Sequence, residues 1–165
     1  MFQNLRYAEF EAESNVFDYG DEGELFYIIM EGEVKIKIPA PDILEDDQCS
    51  PEGFLIFLIE YWSDIYWSKL RLGLEIREML IKLLNDSGIP ADVDGNFDKK
   101  KALQKLDRAI YNNKTTIHEK IFNIANPESK KTITVSRFKE VARLSDGCSF
   151  GELALLKNEG RAATI

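Results

Sequence analysis

The chain has 165 residues, a formal net charge of −8 and 44% hydrophobic residues. That length allows one ordinary domain, or a small one carrying an insertion, with enough apolar content for a core. The acidic balance argues against binding nucleic acid or an anionic membrane over a broad face, and leaves room for a small anion at one local cation.

Two cysteines, Cys49 and Cys148, make neither a disulfide framework nor a metal cluster. Reduced thiols in a cytoplasmic protein are expected. The opening residues lack the charged-then-apolar pattern of a signal peptide. The longest apolar run, Phe54 to Ile59, is far too short to cross a bilayer, so no membrane segment is expected.

In chain order, Leu5 to Phe10 loosely alternates apolar and polar residues, as a half-buried strand does. Val16-Phe17 predicts a second short strand. The acidic stretch Asp18 to Glu24 holds two glycines and reads as a turn-rich loop. Leu25 to Met30 is a nearly continuous apolar run, predicting a buried strand. Glu31-Gly32 predicts a tight hairpin with positive φ at the glycine. Glu33 to Ile38 alternates strictly, so Val34, Ile36 and Ile38 are expected inside and the lysines outside. Pro39 and Pro41 are expected to end this strand.

Asp42 to Cys49 reads as an acidic linker, and Ser50-Pro51 as a helix start. Phe54, Leu58, Tyr61 and Ile65 fall on one helical face. Leu72 to Leu83 continues the period, with Gly73 as a kink. Asp98 is placed to cap a second helix with a stripe of Leu103, Leu106 and Ile110. Thr116-Ile117-His118-Glu119 predicts a capping box and a third helix, with Ile117, Ile121 and Ile124 on one side. Thr132 to Val135 reads as a strand or a return loop, and Phe138 to Leu144 as a strand.

Three features in this middle stretch invite sharper readings. Asp92 to Asp98 looks like a calcium loop, but Phe97 stands where such a loop needs glycine, and Leu103 where it needs glutamate. An acidic connecting loop is expected instead. His118 has no ligand-type neighbours at metal spacing, so a helix-surface histidine is expected. Phe54, Phe57, Tyr61, Trp62, Tyr66 and Trp67 predict core packing, with a partner-docking face as the alternative.

The chemistry gathers at the end of the chain: Phe150-Gly151-Glu152-Leu153-Ala154-Leu155-Leu156, then Arg161-Ala162-Ala163-Thr164-Ile165. Gly151 lets backbone approach a ligand closely. The following residues favour a helical turn, whose free amides suit an anion. Arg161 offers a planar cationic fork that matches a phosphate. Glu152 suits a hydroxyl donor, so the pair points to a nucleotide or a sugar phosphate.

These two pieces closely resemble the phosphate-binding cassette of cyclic nucleotide-binding domains, most like that of the regulatory subunits of cAMP-dependent protein kinase. Asn15 to Ile38 resembles the opening strands of the same family. The resemblance implies an α+β fold, an antiparallel β-roll of the jelly-roll kind, formed by residues 1–39 and 139–165. Residues 40–138 would be a helical insertion. It implies that Glu152 takes the ribose 2′-hydroxyl and Arg161 the cyclic phosphate. Gly151 and the backbone amides of Leu153, Ala154 and Ala162 would complete the cradle. Ala162, following the arginine, goes with cAMP over cGMP. The family's roll continues past the position of Ile165, so the chain is expected to be a fragment.

The expected function is therefore a regulatory module that binds cAMP, with cGMP as the alternative ligand, and uses it as a signalling switch. No other cofactor and no metal is expected. A protein partner is implied, such as a kinase catalytic subunit or a docking partner of the insertion. The alternative is a scaffold protein acting through the insertion. Catalysis is not expected, because no activated nucleophile, base or ligand cluster accompanies the cassette.

Overall fold

The computed structural model describes residues 4–165, in a mixed arrangement of helices and small sheets of the α+β kind. Contacts divide it into two units. One comprises the residues up to Ile38 together with Lys139–Ile165, and the other Pro39–Phe138. In order the elements are β1 (Tyr27–Ile28), β2 (Glu33–Leu44), α1 (Pro51–Glu60), α2 (Gly73–Asp86), α3 (Lys99–Tyr111), α4 (Ile117–Ala125), β3 (Ile133–Ser145), β4 (Ser149–Phe150) and α5 (Glu152–Lys157). β1 pairs antiparallel with β4, with Tyr27 opposite Phe150, and β2 neighbours β3 in a second sheet. No helix among the described residues is long and apolar enough to cross a membrane.

The second unit contains an extended apolar core. Phe54, Leu58, Ile59, Ile76, Leu80 and Leu84 are wholly buried there, with Trp62, Ala102, Ile121 and Val135 among them. Phe54, Phe57 and Trp62 are thus core residues, with Tyr61 and Trp67 packed against them. α1 starts as its sequence requires: Pro51 opens it and the Ser50 side chain accepts from the Gly53 amide at 3.1 Å. Asp98 caps α3 in the same way, accepting from the Lys101 amide. Lys99, beside that cap, reaches the Glu60 carbonyl at the end of α1 (3.1 Å), where a cation meets the negative end of a helix.

Several expectations are corrected by tertiary pairing. Helical periodicity runs on past Glu60, yet α1 stops there, and Gly73 begins α2 instead of kinking one long helix. Between them Tyr66 donates to the Ser136 carbonyl and the Phe138 amide donates to the Asp64 carbonyl, so the chain spends its backbone groups on the edge of β3. The supposed acidic linker completes β2 and then forms a 3₁₀ turn over Asp46–Cys49. β3 is one strand from Ile133 to Ser145 where two segments were expected. The Thr116–Glu119 capping box does not form; Thr115 Oγ1 accepts from the Ile117 amide instead. His118 is not on the surface. It is 5% exposed, sharing a buried face with Ile121, and its Nε2 lies 3.7 Å from Glu52 Oε1.

β2 runs straight through Pro39 and Pro41. The Lys37 amide and carbonyl both face Thr164, so they use the edge of β2 turned away from β3. Residues two apart share an edge, which puts both proline nitrogens on that outer side, where no ladder donor is lost.

In the first unit the strands are shorter than expected. Leu5–Phe10 is not a strand, and Val16-Phe17 makes single bonds with Ile165 without forming one. Of the Leu25–Met30 run only Tyr27–Ile28 is strand, and only Ile29 is buried, while Leu25, Phe26, Ile28 and Met30 are exposed. The alternation of Glu33 to Ile38 does not sort into inside and outside either. Residues 34–37 are all half-buried and Ile38 is exposed. Glu31-Gly32 does carry a positive φ at Gly32, but joins two different sheets and so is no hairpin. Its amide bonds Asp146 Oδ1 at 2.8 Å.

The calcium-like loop is organised by its own amide groups. The Asn96 backbone and side chain both donate to Asp92, holding that carboxyl below the usual carboxylate range. Because Trp62 and Trp67 both lie in Pro39–Phe138, tryptophan fluorescence reports that unit alone. In denaturant unfolding followed this way, Leu80→Ala is expected to cost about 2–5 kcal/mol and Asp98→Ala about 1 kcal/mol. Equal losses from the two would contradict a core centred on Leu80.

Candidate functional site

The end of the chain folds back on the acidic loop. The Arg161 amide donates to the Asp21 carbonyl (2.7 Å), and the Gly20 amide donates to the Arg161 carbonyl (2.8 Å). Thr164 Oγ1 accepts from the Tyr19 amide, and the Ile165 amide donates to Phe17. These bonds fix the Arg161 backbone and send its side chain inward, where it is only 5% exposed.

Inside, the guanidinium finds carbonyls and an aromatic face. Nη1 donates to the Gly151 carbonyl at 2.8 Å and Nη2 to the Leu25 carbonyl at 2.7 Å. Its central carbon sits 4.0 Å from the Phe17 ring centroid, a cation–π distance. Phe17 belongs to a cluster with Tyr27 and Phe150, the latter two stacked at 5.2 Å as the β1–β4 register places them. Nε is buried with no hydrogen-bond partner, and no carboxylate among the described residues pairs with the group. An Asp- and Glu-rich loop therefore wraps a buried cation and offers it only main-chain oxygen.

Two glycines make this approach possible. Gly151 has φ +89°, and a Cβ there would come 2.7 Å from Arg161 Nη1. At Gly23 a Cβ would lie 2.5 Å from Ala154 Cβ and 3.1 Å from Arg161 Nε. The close approach read from Gly151 in the sequence is thus made first by the protein's own arginine.

The remaining predicted residues lie around α5. Glu152 is its first residue, exposed, with no partner for its carboxylate among the described residues. The Leu153 and Ala154 amides belong to the first turn, where no intrahelical carbonyl reaches them. Leu153 is exposed, Ala154 buried against Gly23, and Ala162 exposed beside the buried arginine. Gly151, Ala154 and Arg161 are brought into one packed cluster. Sequence reasoning missed Phe17, Gly23 and Leu25 as parts of it. Leu25 contributes only a carbonyl, which has no sequence signal. The two-glycine loop was the available signal for Gly23.

A second concave surface, at the ends of α2 and α3, is lined by Lys105, Arg108 and Lys114. Lys105 there donates to the Ser87 carbonyl at 3.0 Å, the ordinary duty of a cation at a helix C-terminus. Comparison of the chain with family models, curated proteins and solved structures finds no match.

Gly151→Ala is expected to lower the stability of the first unit by about 1–2 kcal/mol from its left-handed φ alone, and more from the clash with Arg161. Hydrogen exchange of the Gly20 and Arg161 amides, which are bonded within that unit, would measure it. Unchanged exchange would mean that Arg161 is not held at the Gly151 carbonyl.

Proposed function

We propose that this chain is a cyclic nucleotide-binding regulatory module, with cAMP as its preferred ligand. One observation carries the reading: Arg161 is a buried cation with an unpartnered Nε and, among the described residues, no carboxylate counter-ion. Burying an ion has an effective cost of several kcal/mol, and an oxyanion is the partner that a guanidinium fork fits best. The surrounding groups support a phosphate ester of a sugar over a bare anion. In this reading the amides of the first turn of α5, Leu153 and Ala154, with Gly151 and the Ala162 amide, would serve as neutral donors to the phosphate, and the exposed Glu152 as the acceptor for a ribose 2′-hydroxyl. The cassette pattern Phe150 to Leu155 with Arg161 to Thr164 adds the cyclic form, within a β-roll that residues 1–39 and 139–165 would contribute.

In this reading the ligand acts as a switch, because binding that favours one conformation shifts the population toward it. The base is read weakly. Ala162 offers no hydroxyl to the guanine amino group, a difference of about 0.5–1.5 kcal/mol, or roughly tenfold at most, in favour of cAMP.

Calorimetric titration of the full chain with cAMP, cGMP and 2′-deoxy-cAMP tests the assignment. cAMP is expected to bind, and Arg161→Lys to weaken it although the charge is kept. Arg161→Ala is expected to cost about 2–5 kcal/mol, as truncating one side of a buried charge pair does. The 2′-deoxy ligand is expected to lose affinity because Glu152 is left unpaired. Equal affinity of wild type and Arg161→Ala would remove the reading. Ala162→Thr is expected to improve cGMP binding and leave cAMP nearly unchanged; a cGMP affinity that does not move would place base selection elsewhere.

A further inference from the structure

We propose that Arg161 is a two-position latch: it holds the Leu25 carbonyl when no ligand is bound, and surrenders that carbonyl when an oxyanion takes the guanidinium. The inference rests on the ligand reading above and adds a moving part to it.

The argument begins with donors. A guanidinium has five N–H groups, and bidentate recognition of a phosphate uses two parallel ones on one edge. Here the two terminal nitrogens are directed at the Gly151 and Leu25 carbonyls. Phe17 covers a face at 4.0 Å, and Gly23 stands close to Nε and the central carbon. With the side chain 95% buried (5% exposed), no oxyanion reaches it until one neighbour leaves.

The neighbours are held unequally. Phe17 is tied through its carbonyl to the Ile165 amide, and the Arg161 backbone is tied to Gly20 and Asp21. Gly151 is fixed between β4 and α5. Residues 22–26 are different. Among the described residues the one hydrogen bond that holds them is Arg161 Nη2 to the Leu25 carbonyl. Leu25 and Phe26 are more than half exposed (61% and 51%), so little apolar burial opposes their movement. This segment is therefore the part that gives way, and its departure also removes Gly23 from Nε. An oxyanion needs the space that residues 22–26 occupy beside the buried guanidinium, so by linkage whatever weakens the latch strengthens binding.

Limited proteolysis of the full chain with a glutamate-specific protease reads the segment directly, since Glu22 and Glu24 lie within it. Calorimetry in parallel reports binding of the probe, cAMP. Saturating cAMP is expected to accelerate cleavage at Glu22 and Glu24 by roughly threefold to tenfold, the equilibrium shift carried by one net hydrogen bond. Leu25→Gly, which loosens the backbone of the segment without adding an atom against the cradle, is expected to raise cleavage without ligand and to tighten cAMP binding. Binding of cAMP with unchanged or slower cleavage would overturn the latch and leave the ligand assignment standing. So would a Leu25→Gly chain that binds more weakly while remaining folded by circular dichroism. Absence of cAMP binding to wild type would overturn both.

Discussion

The organisation of the first unit depends on burying one guanidinium. An ion removed from water must be met by acceptors, or it destabilises the fold by several kcal/mol. Arg161 is met by two carbonyls. Hydrogen bonds to a charged group contribute about 1.5–3 kcal/mol each, so the pair roughly offsets the burial. The ring of Phe17 adds a cation–π contribution of about 2 kcal/mol when desolvated. The carbonyls come from positions far apart in the chain, Leu25 and Gly151. One side chain thus joins the start of β1 to the start of α5, and Gly151 must be glycine for it to reach. The unit has little else: Ile29, Phe150 and Ala154 are its buried apolar residues among those described.

The second unit is built on the opposite principle. Its core is apolar and continuous, and its polar groups serve the ends of helices: Ser50 and Asp98 at N-termini, Lys99 and Lys105 at C-termini. Arg137 pairs with Asp42 and lies 4.0 Å over the Tyr61 ring, tying the turn after α1 to the strands. Such a unit derives stability from area removed from water, which tolerates rearranged detail. The first unit relies on a few directional contacts. The loss of any one of them therefore has a large effect on the unit.

Some local chemistry was legible from near neighbours, although the capping box at Thr116–Glu119 was not. The caps at Ser50 and Asp98, the positive φ at Gly32 and the short helix after Gly151 each follow from near neighbours, and each is present. The helical character of the middle of the chain followed from apolar spacing. Glu152 and Arg161 were singled out by type and spacing. The resemblance that joins them to a cyclic nucleotide came from the same residues.

What the sequence could not decide is which backbone edge meets which. The end of α1 is set by bonds from Asp64 and Tyr66 to β3, some seventy positions away in the chain. The passage of β2 through two prolines depends on Lys37 facing Thr164. His118 is buried because α4 turns that face inward, a rotation that the Ile117-Ile121-Ile124 spacing leaves open. The surroundings of Arg161 belong to the same class. Its identity as a cationic fork is in the sequence, but its acceptors are main-chain oxygens that every residue possesses. Only the fold selects Leu25 and Gly151 among them, because a carbonyl becomes specific through position alone.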